Sequence, residues 1–292
     1  MEIQKIESFP ESGGNDFKPQ KAILVIIGFL FVVWFLWFLF FRVGFLNISS
    51  FLNSGQNNAT STQNSGKINL PTEKSLYSGW IKISDITYAQ ENYPTKEYIL
   101  ISVVQPNLSA VDASKWKLVN SLGETTPLGQ VAELPSFGKV NTLSALKLKG
   151  GDELIISTGR SPIGSSFRMN SCAPYFEQFQ DFIPPIETYN CPNARSTSGY
   201  SSLSYECQDF VANLRECETP TQTIPTEYGS SCKTFVDAHV GYAGCVSDRK
   251  REPGFYSNIL RIFLNKDREL WSQKDTITLL DQDGKIIDQV KY

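Results

Sequence analysis

DTITLLDQDGKIIDQVKY, from Asp275 to Tyr292, reads as two strands rich in β-branched residues joined by a tight turn, Asp281-Gln-Asp-Gly284. The same texture recurs upstream, where short β-branched and aromatic runs are broken by Gly, Pro, Asn and Asp. WIKISDITY (80–88), EYILISVV (97–104), KWKLVN (115–120), LSALKLK (143–149), ELIIST (153–158) and ILRIFLN (259–265) complete a set of eight predicted strands. Eight short strands predict a mainly β domain, a sandwich of immunoglobulin-like size.

The strand pattern stops after Thr158 and resumes at Ile259, and all six cysteines fall in that gap: Cys172, Cys191, Cys207, Cys217, Cys232 and Cys245. The gap reads as a separate unit, a helical insertion at about 164–257. YFEQFQDF (175–182), ECQDFVANLREC (206–217) and SCKTFVDAHVGYAGC (231–245) place apolar residues three and four apart. No Cys-x-x-Cys pair is present and His239 is the single histidine, so neither a metal site nor a thioredoxin-type redox site is expected. Three structural disulfides are expected instead. Fifteen connectivities are open; two antiparallel helices would favour Cys207–Cys245 and Cys217–Cys232, leaving Cys172–Cys191 by elimination.

At the other end, AILVIIGFLFVVWFLWFLFF (22–41) is a charge-free run of twenty residues. As a helix rising about 1.5 Å per residue it would span a hydrocarbon core of about 30 Å. An uncleaved signal anchor fits better than a cleaved leader, because the run is long and RVGFLNISSF offers no small-x-small cleavage site. Lys5, Lys18 and Lys21 precede the span and only Arg42 closely follows it, which predicts a cytoplasmic N-terminus and an extracytoplasmic C-terminal domain. The expected order is therefore a cytoplasmic segment (1–21), the membrane anchor (22–41), a flexible Ser/Asn/Gly-rich stalk (42–76), and the β domain (77–292). Asn47, Asn58 and Asn107 open Asn-x-Ser/Thr triplets that are read as incidental.

Several of these residues resemble those of a known family. ISDI (83–86), EYILI (97–101), SKWKLVNSLGETTPL (114–128), LKGGDELIISTG (148–159) and the closing DTITLLDQDGKIIDQVKY follow the order of motifs in the lamin tail domain, an immunoglobulin-like sandwich. SPIGSSFRMNSC (161–172), Cys191-Pro192 and RELWSQKDTITLLD look more particularly like membrane-anchored bacterial lamin-tail proteins with a cysteine-rich insertion. Asp85 stands where the family often has Glu. A heptad rod and a prenylation motif are not found, so filament formation and a nuclear-envelope role do not transfer. The resemblance implies a fold and an anchored topology and brings no catalytic residues.

Composition narrows the function classes. A net charge of −3 and a pI near 5.4 argue against nucleic-acid binding. Nucleophile-elbow, phosphate-loop and dinucleotide motifs are not found, so no cofactor is expected. Asp237 and His239 lie two apart on a predicted helix and point away from each other, which leaves His239 a packing or surface residue. Asp281–Gly284 resembles part of a calcium loop but fits a hairpin turn better. The DRKRE run (248–252) reads as a solvated loop that could touch an anionic envelope polymer. The leading expectation is a non-enzymatic binding or adhesion module for a protein or carbohydrate ligand, with Tyr200, Tyr205, Tyr228 and Tyr242 available for contact unless they pack the insertion. The alternatives are an envelope hydrolase using Asp152, Glu153 or Glu177, and a structural subunit of an envelope assembly.

Overall fold

The computed structural model describes Trp34 and residues 72–88, 96–188 and 191–291. The expected anchor at 22–41, apart from Trp34, and most of the expected stalk lie outside the described residues. Among the described residues no helix is long and apolar enough to cross a membrane. Contacts divide the chain into Met1–Ser65 and Gly66–Tyr292, and the elements below belong to the second unit.

The unit is mainly sheet. Strands β1 (Ile81–Thr87), β2 (Tyr98–Val103), β7 (Glu153–Ser157), β8 (Phe167–Asn170) and β9 (Tyr256–Phe263) form a five-stranded sheet in the order β1-β2-β7-β9-β8. Strands β4 (Lys117–Val119), β5 (Thr125–Pro127), β10 (Thr276–Leu280) and β11 (Ile286–Lys291) form a second, in the order β11-β10-β4-β5. A short pair, β3 (Val111–Asp112) and β6 (Lys147–Leu148), makes a third. Neighbours are antiparallel except β7 and β9, which run parallel.

Period-two alternation explains the core. Ile81, Ile83, Ile99, Ile101, Leu154, Ile156, Leu260 and Ile262 from the five-stranded sheet join Leu118, Ile277, Leu279 and Ile287 from the four-stranded sheet in one buried cluster around Trp116. Trp116 donates its indole N–H to Gln282 in the β10–β11 turn, 3.1 Å away, so the core tryptophan also fixes the terminal hairpin. The turn behaves as expected from its sequence: Asp281 Oδ1 accepts the amides of Asp283 and Lys285, each at 2.9 Å. At the β1 bulge the Ile83 amide donates to Asp288 on β11, linking the two sheets at one edge. Inside the expected stalk, Ser75 and Glu73 exchange backbone bonds with Ile286.

Each of the eight expected strands has a counterpart, and β3, β5 and β8 are additions. β8 and the first residues of β9 lie inside the stretch expected as insertion, so the excursion from the sheet runs over 171–255. It packs on the outer face of the five-stranded sheet, where Phe167 and Phe263 meet Phe176, Phe182 and Ile186. Arg261, also on that face, is buried; its guanidinium donates to the carbonyls of Pro184 and Pro185 at 2.6 and 3.0 Å and lies over the Phe182 ring. Burial pulls Arg261 down to about 10, partly offset by the Glu177 carboxylate.

The excursion contains helices α1 (Tyr205–Ala212), α2 (Ser230–His239) and α3 (Tyr242–Arg249) and three disulfides. The bridges are Cys172–Cys245, Cys191–Cys217 and Cys207–Cys232, and none of the three expected pairings forms. The two-helix hairpin behind those pairings does not exist. The first helix stops at Ala212, leaving Cys217 in a loop with φ of 51°, where it meets Cys191. The second breaks at Gly241, whose φ of 126° suits glycine, so Cys245 starts a new direction on α3 and reaches Cys172. Only Cys207 and Cys232 sit on facing α1 and α2.

Candidate ligand-binding groove

The loop after Ala132 runs along the excursion and leaves a groove of about 420 Å³ between them. That volume is in the range of small-ligand sites, ~300–1,000 Å³. One wall is Leu134, Pro135, Ser136, Phe137 and Lys139; the other is Tyr175, Phe176, Phe179 and Gln180, with Tyr242, Ala243 and Val246 of α3 between them. Phe137 and Phe179 are 52% and 56% exposed, an unusual state for two phenyl rings at the rim of one groove. A shallower concavity of about 550 Å³ shares Phe137 and Lys139 and continues over exposed Val140 and Leu143.

The walls are fixed from behind. The Tyr242 ring centroid is 4.3 Å from that of Phe176, and its hydroxyl donates to the Pro135 carbonyl at 2.6 Å while accepting from Asn170 Nδ2 at 3.2 Å. Burial pushes the Tyr242 phenol up to about 12, so it keeps the proton that holds the loop. Asn141 braces the same loop by accepting the Ser136 amide at 2.6 Å and donating to Ser165 at 2.9 Å. On the other side Gln178 and Thr219 exchange two bonds of 2.8 Å. The Cys172–Cys245 bridge ties the start of the 3-10 helix Ala173–Gln178 to α3, joining the two elements that carry Phe176 and Tyr242. Such a surface binds by shape and apolar contact, with Lys139 the one charged group in its lining.

The residues singled out by sequence have other places. Asp152 is fully buried, accepts the Lys149 amide at 3.1 Å and lies 3.6 Å from Arg168. Glu153 is exposed at the start of β7, and Glu177 accepts the Ile186 amide at 2.9 Å, its carboxyl raised by burial. None of these carboxylates lines the groove. Tyr200 and Tyr228 pack with the α1–α2 cluster, Tyr205 is exposed, and Tyr242 alone lines the groove. His239 pairs with Asp248 of α3, Nδ1 to Oδ2 3.0 Å, rather than with Asp237, which bridges to Lys233.

The DRKRE run is less solvated than its composition suggests. Asp248 faces His239, while Arg249 binds Glu252, Ser196 and the Asn193 carbonyl. Lys250 and Arg251 remain exposed. Among the described residues no cluster of metal-ligating side chains occurs.

Phe137 and Phe179 were not among the expected site residues. The signal for Phe137 is the sequence ELPSFGKV (133–140), which places two large apolar residues in a Pro/Gly-containing loop with no strand alternation to bury them. Phe179 falls in a stretch whose helical spacing predicted burial; the 3-10 helix ends at Gln178, turning Phe176 and Phe182 inward and Phe179 out. No family model matches the chain, and no curated protein matches it.

Proposed function

We propose that the chain is a membrane-anchored, extracytoplasmic binding or adhesion module of the cell envelope. In this reading its sheets are an immunoglobulin-like sandwich of the lamin-tail type, and the groove beside Phe137 and Phe179 seats a protein ligand. The observation that carries the reading is this pair of exposed phenyl rings on walls braced by hydrogen bonds and a disulfide. A braced apolar groove loses little conformational entropy on binding. The ligand is an extended segment with an apolar anchor for the phenyl rim and an acidic residue for Lys139.

The lamin-tail assignment draws on particular residues. Trp116 is wholly buried between the sheets. Gly150 precedes the buried Asp152 where a Cβ would stand 1.9 Å from the Pro106 carbonyl oxygen, so the Gly-Gly-Asp motif answers a close backbone approach. The hydrolase alternative draws no support from the groove, since Asp152, Glu153 and Glu177 do not line it.

The test is peptide selection on the full chain held in detergent micelles. Peptides combining an apolar anchor with an acidic residue should be enriched, and Phe137→Ala/Phe179→Ala should weaken them at least about tenfold, the equivalent of ~1.4 kcal/mol. Both side chains are exposed, so the melting temperature should not move. Selected peptides that bind the double variant as tightly as the parent would falsify the reading.

A further inference from the structure

A further concavity, of about 380 Å³, is lined by residues of β6, β8 and β9. Alternation along β6 sends Leu146 and Leu148 into the core and leaves Lys147 and Lys149 exposed on the other side. Tyr256 and Asn258 share the parity of the core residues Leu260 and Ile262 along β9 but precede them, and both are exposed. Ala110, Glu133, Arg168 and Ser257 complete the lining.

Arg168 forms a fixed floor. Its guanidinium is nine-tenths buried and contacts Glu133 at 3.0 Å, the Ser257 and Lys147 carbonyls at 3.2 Å, and Asp152 at 3.6 Å. Those two carboxylates neutralise Arg168 and leave one negative charge over. Lys147 and Lys149 form no ion pair among the described residues, although Asp112, paired with Lys147 across β3 and β6, lies within its field. A chain with net charge −3 therefore concentrates two unpaired ammonium groups at one concavity.

The neighbouring groups narrow the anion. Tyr256 is 47% exposed and backed edge-on by Phe255, ring centroids 4.9 Å apart, so it offers a supported aromatic face. Asn258 spends one N–H on the Gly151 carbonyl at 2.7 Å and keeps its side-chain oxygen as an acceptor for a hydroxyl donor. Ammonium groups for a carboxylate, an aromatic face for a ring and an amide oxygen for a hydroxyl together match one chemical class. We propose that this concavity binds an acidic saccharide, a sugar chain bearing uronate carboxylates. The carboxylate bridges Lys147 and Lys149, and the pyranose ring lies on Tyr256. The site is separate from the groove and does not depend on what the groove binds.

The probe is trigalacturonate titrated into the full chain in detergent micelles by calorimetry, beside the neutral trigalactose and inorganic phosphate. Trigalacturonate should bind saturably, at least about tenfold tighter than the neutral trimer, and weaken between about 50 and about 200 mM salt. Lys147→Ala/Lys149→Ala should weaken it about tenfold or more, because charge-assisted bonds are lost. The double variant leaves the Lys147 carbonyl and Lys149 amide in place, so its melting temperature reports that Arg168 and Asp152 are undisturbed. Tyr256→Ala should weaken trigalacturonate several-fold and leave phosphate unchanged. Phe137→Ala/Phe179→Ala should bind the trimer like the parent. Absence of saturable binding, or equal affinity in the lysine double variant, overturns the site. Phosphate binding as tightly as trigalacturonate with no effect of Tyr256→Ala overturns its saccharide assignment.

Discussion

Replacing Glu97 by Gln should stabilise the β domain at pH 8 and leave it unchanged near pH 4.5. Glu97 is wholly buried just before β2, and its Oε1 accepts the Leu270 amide at 2.6 Å. Its Oε2, the Thr158 hydroxyl and the Trp271 indole N–H are all buried without a hydrogen-bond partner in the protein. Burial is the largest cause and pushes the carboxyl from 4.5 up to about 7, partly offset by the hydrogen bond from the Leu270 amide. The folded chain thus holds a proton that the unfolded chain releases between pH 4.5 and 7. Stability falls as pH rises through that window, by about 3 kcal/mol in all, since each tenfold difference in proton affinity between folded and unfolded chain is worth ~1.4 kcal/mol. Glutamine does not titrate, retains the acceptor for Leu270, and adds a donor on the Oε2 side. Urea unfolding of the full chain in detergent, followed by near-ultraviolet circular dichroism from pH 4.5 to 8, measures the difference. The variant should gain about 3 kcal/mol over the parent at pH 8 and converge with it at the acid end. Parallel stabilities across the range, or a parent that is the more stable at pH 8, would refute the assignment of a buried, protonatable Glu97.

Two further outcomes concern the bridges. Cys172→Ser/Cys245→Ser removes the tie across 73 residues, which the inner bridges shorten to roughly 50; the unfolded chain then gains entropy worth about 4 kcal/mol. The urea midpoint should drop accordingly, and peptides selected for the groove should lose affinity more than the saccharide at Lys147 and Lys149. Non-reducing peptide mapping of native membranes should recover Cys172–Cys245, Cys191–Cys217 and Cys207–Cys232 as the linked pairs. Six free thiols there would reverse the membrane orientation read from Lys5, Lys18 and Lys21.

The parts of the fold legible in the sequence were those governed by local rules. Runs of β-branched and aromatic residues between turn formers located β1, β2, β7 and β10, and the Asp281–Gly284 turn followed from side-chain oxygens capping nearby amides. β8 was missed because Phe167 to Asn170 is buried on both faces in three of four residues and shows no alternation, its outer face being covered by the excursion. The disulfide pairing failed for a related reason. Helical spacing survives across a break, so YECQDFVA and the following NLREC look continuous although only the first is helical. The groove was illegible because its walls come from segments far apart in sequence, 134–139, 175–180 and 242–246, brought together by the Cys172–Cys245 bridge and the Tyr242 hydroxyl. Exposed phenylalanines carry no signature until it is known what else the core could hold.

Strand order in space also sets an order in time. β9 lies between β7 and β8, and β10 between β11 and β4, so both large sheets receive a central strand from the last part of the chain to be synthesised. Between Asn170 and Tyr256 the ribosome needs roughly 4–17 s at about 5–20 residues per second, during which β7 has no neighbour on one side. All six cysteines precede Tyr256, so no bridge needs a residue that follows it. A released chain that ends just short of Tyr256 therefore contains every cysteine of the excursion and should form its bridges on a sheet left open-edged at β7.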